Sequence, residues 1–223
     1  MGWATIIERN LDRLLAVIAE LFALTGGAMA DSLPRHVYRA LLIMLRPVES
    51  AVRRLIIIAA RGLALKLRPG RAFPAGLALK SSAERLPAFR LIDPLKRCAP
   101  QGFEWGKVQV IPRISVPGLF DPAFLPPRPI PSEDEAIAAG ELCRRLQALK
   151  HALETLPKQA RRLARWRAKG ELARHAASKP GRLSPFRPGF APGYHRHEPN
   201  EIDQILGDCH YFAVEAWKRQ DTS

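Results

Sequence analysis

The stretch Leu142–Leu163, LCRRLQALKHALETLPKQARRL, decides how the chain is read. Leu142, Leu146, Leu149, Leu153, Leu156, Ala160 and Leu163 recur in alternating fours and threes, and Ala139 extends the series backwards. That spacing lays them along one side of a helix, as in a coiled-coil or helical-hairpin seam. Pro157 has no N–H to donate and its ring crowds the preceding turn. A kink or tight turn is therefore predicted there, with a second helix over 157–169. Upstream, Ser132 is suited to cap a helix, and Glu133, Asp134 and Glu135 suit the positive end of a helix dipole. Together they predict a helix start at residue 132.

The opposite face of this stretch is basic. Arg144, His151, Lys158 and Arg165 fall every seven residues, with Arg162 and Lys169 joining at helical spacing and Arg145, Arg161 and Arg167 flanking them. Guanidinium groups grip phosphate with a planar fork that Lys lacks, and twenty-six of the thirty-five cations are Arg. The charge is also segregated. Residues 144–196 carry fourteen Lys and Arg against two acids, and residues 35–128 carry seventeen against five, within a net charge of +14. The leading expectation is a non-enzymatic accessory protein that binds nucleic-acid backbone without strong sequence specificity. Arg144, Arg145, Lys158, Arg161, Arg162, Arg165, Arg167 and Lys169 are the expected phosphate contacts. The competing arrangements are a solvated face, or pairing of the stripe with the acidic helix 201–215. Beyond the stripe, residues 171–197 mix Arg and Lys with Phe186, Phe190 and Tyr194 amid Pro and Gly, a composition that can track a backbone and stack on unpaired bases.

Outward from this region, residues 3–25 read as a helix through Ile7, Leu11, Leu14, Ile18 and Leu21, with Gly26-Gly27 as its stop. Ser32 before Pro34 predicts a second start, with the proline in the first turn. Pro47 is expected to break or kink that path, and residues 48–67 to continue it. Leu55–Ala60 is apolar nearly all round and must be covered by helices, a partner or lipid. A buried strand over Leu55–Ile58 is the weaker alternative. Residues 201–219 read as a final helix capped by Asn200, with Asp203 in a near capping box.

Nine of the twenty prolines fall between Pro94 and Pro131, so residues 68–131 are expected to be an extended connector. Within it, the alternation of Val108, Val110, Pro112, Ile114 and Val116 predicts a small β-ribbon. Phe89–Ile92 reads as a candidate short strand, and Pro126–Pro131 as polyproline II. The expected fold class is mainly α, with helical hairpins joined by this connector. The units are 1–67, 68–131 and 132–223, the last with a flexible loop over 171–199.

Two further functional readings follow from the same residues. As a peripheral membrane protein, helices 3–25 and 48–67 would lie on anionic lipid with Arg35, Arg39, Arg53, Arg54 and Arg61 toward headgroups. As a helical scaffold, the Leu142–Leu163 seam and Leu55–Ala60 would be interfaces with a protein partner or a second copy. Arg46, Glu49, Arg53 and Arg54 make Leu41–Ala60 too polar for a transmembrane helix. Leu14–Leu24 followed by Ala28-Met29-Ala30 has the outline of a secretory leader, but Glu8, Asp12 and Glu20 argue against cleavage. Cys98, Cys143 and Cys209 are too few and too scattered for a disulfide framework, which favours a reducing, cytoplasmic setting. His195, His197, Cys209 and His210 lack the paired spacing of structural zinc, so neither metal nor cofactor is expected. Nucleotide-loop and common hydrolase motifs are absent from the sequence.

Overall fold

The computed structural model describes residues 2–26, 30–63, 65, 88–94, 132–175, 184–194 and 200–218. Their order is α1 (Trp3–Leu24), β1 (Ser32–Pro34), α2 (Arg35–Ala59), β2 (Ala136–Ala138), α3 (Gly140–Glu154), α4 (Leu156–His175) and α5 (Glu201–Lys218). The fold is mainly α, as the sequence predicts. Met1–Pro94 and Glu133–Ser223 form one compact unit, so the N- and C-terminal helical segments share a core. Leu95–Ser132 forms a second unit, of which only Ser132 is described. The expected ribbon over 108–116 and the polyproline run 126–131 lie outside the described residues.

α2 is the axle of the first unit. At ~1.5 Å per residue its twenty-five residues extend about 37 Å, and it packs against α1, α3, α4 and α5. Every residue from Ser50 to Ile58 is buried. The Leu55–Ile58 run is therefore helix, not strand, and it is covered by the chain's own helices. Pro47 lies inside α2 and does not end it. A mid-helix proline costs about 3 kcal/mol, but Leu41, Leu45, Val48 and Val52 on either side of it enter one core. Burying each such side chain contributes about 1.5–3 kcal/mol, which outweighs that cost.

The seam residues of the opening stretch are all buried in the same core: Leu142, Leu146, Leu149 and Leu153 on α3, and Leu156, Ala160 and Leu163 on α4. The partner of the seam lies within the chain. Pro157 falls in the first turn of α4, directly after the α3–α4 break at Thr155, where a missing N–H costs nothing. α1 stops at Thr25-Gly26, with Gly26 at φ +75, as the glycine pair predicts.

Two helix starts are corrected. Residues 32–34 and 136–138 are not helical; they form a two-stranded antiparallel ribbon with Leu33 opposite Ile137. Pro34 is tolerated there because both strands are edges. The acidic run before β2 caps α2 instead of opening its own helix. The Glu135 carbonyl accepts the Arg35 N–H at 2.9 Å, the Glu133 carbonyl accepts the His36 N–H at 3.1 Å, and the Glu135 carboxylate pairs with Arg35. Acidic residues do sit at a positive helix end, but at that of a helix a hundred residues upstream. Phe89–Ile92 is irregular rather than a strand.

α5 begins as predicted. The Asn200 N–H donates to Asp203 Oδ2 at 3.2 Å and the Asp203 N–H to the Asn200 carbonyl at 2.9 Å. Two parts of the span 171–199, expected as a flexible loop, are described, and both are held by the fold. Residues 171–175 belong to α4, and residues 184–194 are packed on the core through Phe186 and Ala191. Gly193 explains part of that packing. It sits at φ +84, and a Cβ there would lie 2.5 Å from the Pro47 nitrogen of α2.

Gly193→Ala is therefore expected to unseat residues 184–194. The left-handed backbone alone costs about 1–2 kcal/mol in a non-glycine residue, and the overlap with Pro47 adds to it. A lower urea midpoint with new proteolytic cleavage in 184–194 is the expected result; an unchanged midpoint would contradict it.

Candidate functional site

Three polar or aromatic features stand on this fold, and they differ in what they offer a ligand. The first is buried. Arg53 and Arg54 lie in the apolar middle of α2, where a guanidinium must find partners or destabilise the fold. Arg54, only 1% exposed, forks onto Asp93: Nη1 donates to Oδ1 at 3.1 Å and Nη2 to Oδ2 at 2.8 Å. Its Nη1 also donates to the Ser50 carbonyl and hydroxyl, and its Nε donates to His210 Nδ1 at 3.2 Å. Arg53 pairs with Glu49 and donates Nε to the Arg90 carbonyl. Glu49 in turn accepts both Nε and Nη2 of Arg145 from α3. Asp93 also accepts the Arg187 N–H at 3.3 Å and donates its own N–H to the Pro185 carbonyl.

The network thus ties α2 to residues 90–93, residues 185–187, α3 and α5. Burial pushes the Arg53 pKa down, partly offset by Glu49 and Asp93. Burial also pushes the His210 pKa down, with Arg54 acting in the same direction and Asp93 opposing. This cluster corrects the placement of Arg53 and Arg54 toward lipid headgroups. Arg35 and Arg61 are engaged too, Arg35 with Glu135 and Arg61 over the Trp3 ring at 4.4 Å. Two adjacent arginines inside an apolar helix were the available signal for the cluster. Nothing in the sequence singled out Asp93 as their partner, thirty-nine residues away.

The second feature is the basic face of α3 and α4. Lys158, Arg161 and Arg165 are exposed and line one open groove of about 490 Å³ with Thr155 and Pro157. Arg144 is exposed and forms a surface pair with Glu141 at 3.3 Å; Lys169 is also exposed. The other three expected contacts serve the fold. Arg145 turns inward to Glu49. Arg162 donates Nη1 to the Phe89 carbonyl at 2.8 Å and to Gln159. Arg167 pairs with Glu171 at 3.2 Å and stands over the Trp217 ring. The acidic α5 does not claim the groove: its Glu201 and Asp208 face Arg13 of α1, each at 3.7 Å.

Comparison with protein-family models, curated proteins and solved structures finds no match.

The third feature is a cleft of about 370 Å³ between residues 189–194 and α5, lined by Phe190, Tyr194, Leu206, Gly207 and His210 among others. Phe190 and Tyr194 stack with centroids 6.0 Å apart and are 56% and 40% exposed. No group of His, Cys, Asp or Glu among the described residues could hold a metal ion. Cys209 lies fully in the core, where burial raises its thiol pKa to about 12; His195 and His197 lie outside the described residues. Among the described residues, no helix is long and apolar enough to cross a membrane.

Removing one partner of a buried ion pair strands the other, so Asp93→Ala should cost about 3–5 kcal/mol in urea unfolding. Arg54→Leu combined with Asp93→Leu should cost less than the single change; a single variant within about 1 kcal/mol of wild type would refute this. His210 is held neutral in the fold, with its pKa below the ordinary ~6.5. Its stabilising contribution is complete above that ordinary value and is lost as pH falls toward the folded value. The stability difference between wild type and His210→Gln should therefore shrink from pH 7.5 to 5.5, whereas a constant difference would contradict the assignment.

Proposed function

We propose that the chain is a non-enzymatic accessory protein that binds nucleic-acid backbone through the exposed face of α4, without strong sequence specificity. The carrying observation is the groove lined by Lys158, Arg161 and Arg165, none of which is in an ion pair among the described residues. Residues 158 and 165 are about 10 Å apart along the helix axis. Successive phosphates of one strand advance about 3.4 Å along a duplex, so the three cations can neutralise neighbouring phosphates together. Lys169, exposed one turn beyond Arg165, extends the face along α4. The overall charge of +14 adds long-range attraction that steers a polyanion inward. The contact is assigned to the backbone because a row of cations matched to phosphate spacing needs no particular sequence.

Affinity for duplexes of unrelated sequence should fall steeply between about 50 and 200 mM salt. Lys158→Ala, Arg161→Ala and Arg165→Ala together should reduce the log–log salt slope by about 2.7, the release expected for three phosphates. Fluorescence anisotropy across the salt series measures both. Salt-independent affinity, or no binding at the lowest salt, would overturn the reading.

A further inference from the structure

The cleft between residues 189–194 and α5 has a feature that the fold does not explain. Gly207 lies in the middle of α5, where glycine is the poorest helix former apart from proline. Close packing would justify it, but a Cβ at Gly207 would meet nothing within 4 Å. The space left open is the cleft, which Gly207 itself lines. α5 thus carries a weak helix residue that keeps room over its surface without any neighbour filling that room.

What surrounds the room is selective. Phe190 and Tyr194 are stacked, and Arg187 Nε donates to the Phe190 carbonyl at 2.9 Å, holding the backbone that presents the ring. Gly193, wedged against Pro47, also anchors the same segment on α2. His210 also lines the cleft. Its Nδ1 accepts from Arg54, so the neutral imidazole carries its proton on Nε2, which has no acceptor among the described residues. A solvated π-surface, an open floor and one spare N–H donor suit a flat ring that bears hydrogen-bond acceptors. The volume, about 370 Å³, is at the small end of the usual range for ligand sites.

We propose that this cleft takes an unpaired base of a single-stranded nucleic acid, stacked against Phe190 and Tyr194 and accepting from His210 Nε2. The inference rests on the backbone-binding reading of α4, because charge complementarity is what makes a nucleic-acid base the favoured ring. Base stacking tolerates any sequence, since every base has a π-face, and it is closed to paired bases inside a duplex. The cleft would therefore add a preference for single strands to a face that binds phosphates of either form.

The test compares a single strand of about 20 nucleotides with the duplex of the same sequence, using the full chain. Gly207→Leu fills the cleft with a good helix former, and Phe190→Ala removes an exposed ring, so circular dichroism should report unchanged helicity for both. Each variant should lose about tenfold in single-strand affinity, the order expected for one stacked base, with duplex affinity and the salt slope unchanged. The combined Lys158, Arg161 and Arg165 variant should weaken both ligands and flatten the slope. If Gly207→Leu and Phe190→Ala bind the single strand like wild type, or weaken both ligands equally, the cleft assignment falls and the backbone reading stands. If wild type binds neither ligand at low salt, both fall together.

Discussion

The fork between Arg54 and Asp93 ties two irregular described segments, residues 90–93 and 185–187, to α2. α2 can pack its leucines and isoleucines against α1 and α5 without it, because apolar burial is non-directional. Residues 90–93 and 185–187 lie outside every helix and strand; Leu91, Ile92 and Phe186 pack against the core, and polar contacts fix the rest of these segments. Directed bonds add orientation to that packing: Arg53 to the Arg90 carbonyl, Arg54 to Asp93, and the Arg187 N–H to Asp93. A buried ion pair is weak evidence of net stability, since desolvation can exceed the attraction. Its worth here is geometric. A planar guanidinium bonded on several sides admits few arrangements of the segments around it.

Among the described residues, the basic side chains consequently include two populations with different physics. Arg53, Arg54, Arg145 and Arg162 point to carboxylates or carbonyls of the chain itself, and their charge is used within the fold. Lys158, Arg161 and Arg165 reach solvent along α4. Composition cannot separate these groups. Arg144 and Arg145 are adjacent in sequence, yet one is exposed beside Glu141 and the other reaches Glu49 on α2. On a helix, consecutive residues are about 100° apart, so one step along the chain moves a cation from the outer face toward the core.

Much of the helical content was legible because it follows from local spacing. α1, the middle of α2, α3, α4 and α5 each display an apolar stripe, and Asn200 with Asp203 marks the start of α5 within the same few residues. The errors fall where a segment's partner is distant. Glu133–Glu135 have the chemistry of a helix start, and they serve one, but its axis belongs to α2. Pro47 has the chemistry of a helix break, yet the core on both sides of it holds α2 together. Of the eight basic residues expected as phosphate contacts, Arg145 turns inward and Arg162 reaches the Phe89 carbonyl, because the orientation of α3 and α4 about their axes is not contained in spacing alone.

By itself the sequence determined that the chain is mainly helical, where most helices run, and that arginine is concentrated in two blocks. These are local properties, set by periodicity of 3.6 residues, capping chemistry and composition. Tertiary structure alone decided that the Leu142–Leu163 seam and the Leu55–Ile58 run meet partners in their own chain, that Asp93 neutralises Arg54, and that Gly207 opens onto a cleft beside Phe190 and Tyr194. Each of those depends on which residues far apart in sequence come together. That is set by the combined burial of all the helices, a global sum that no single stretch of the chain contains.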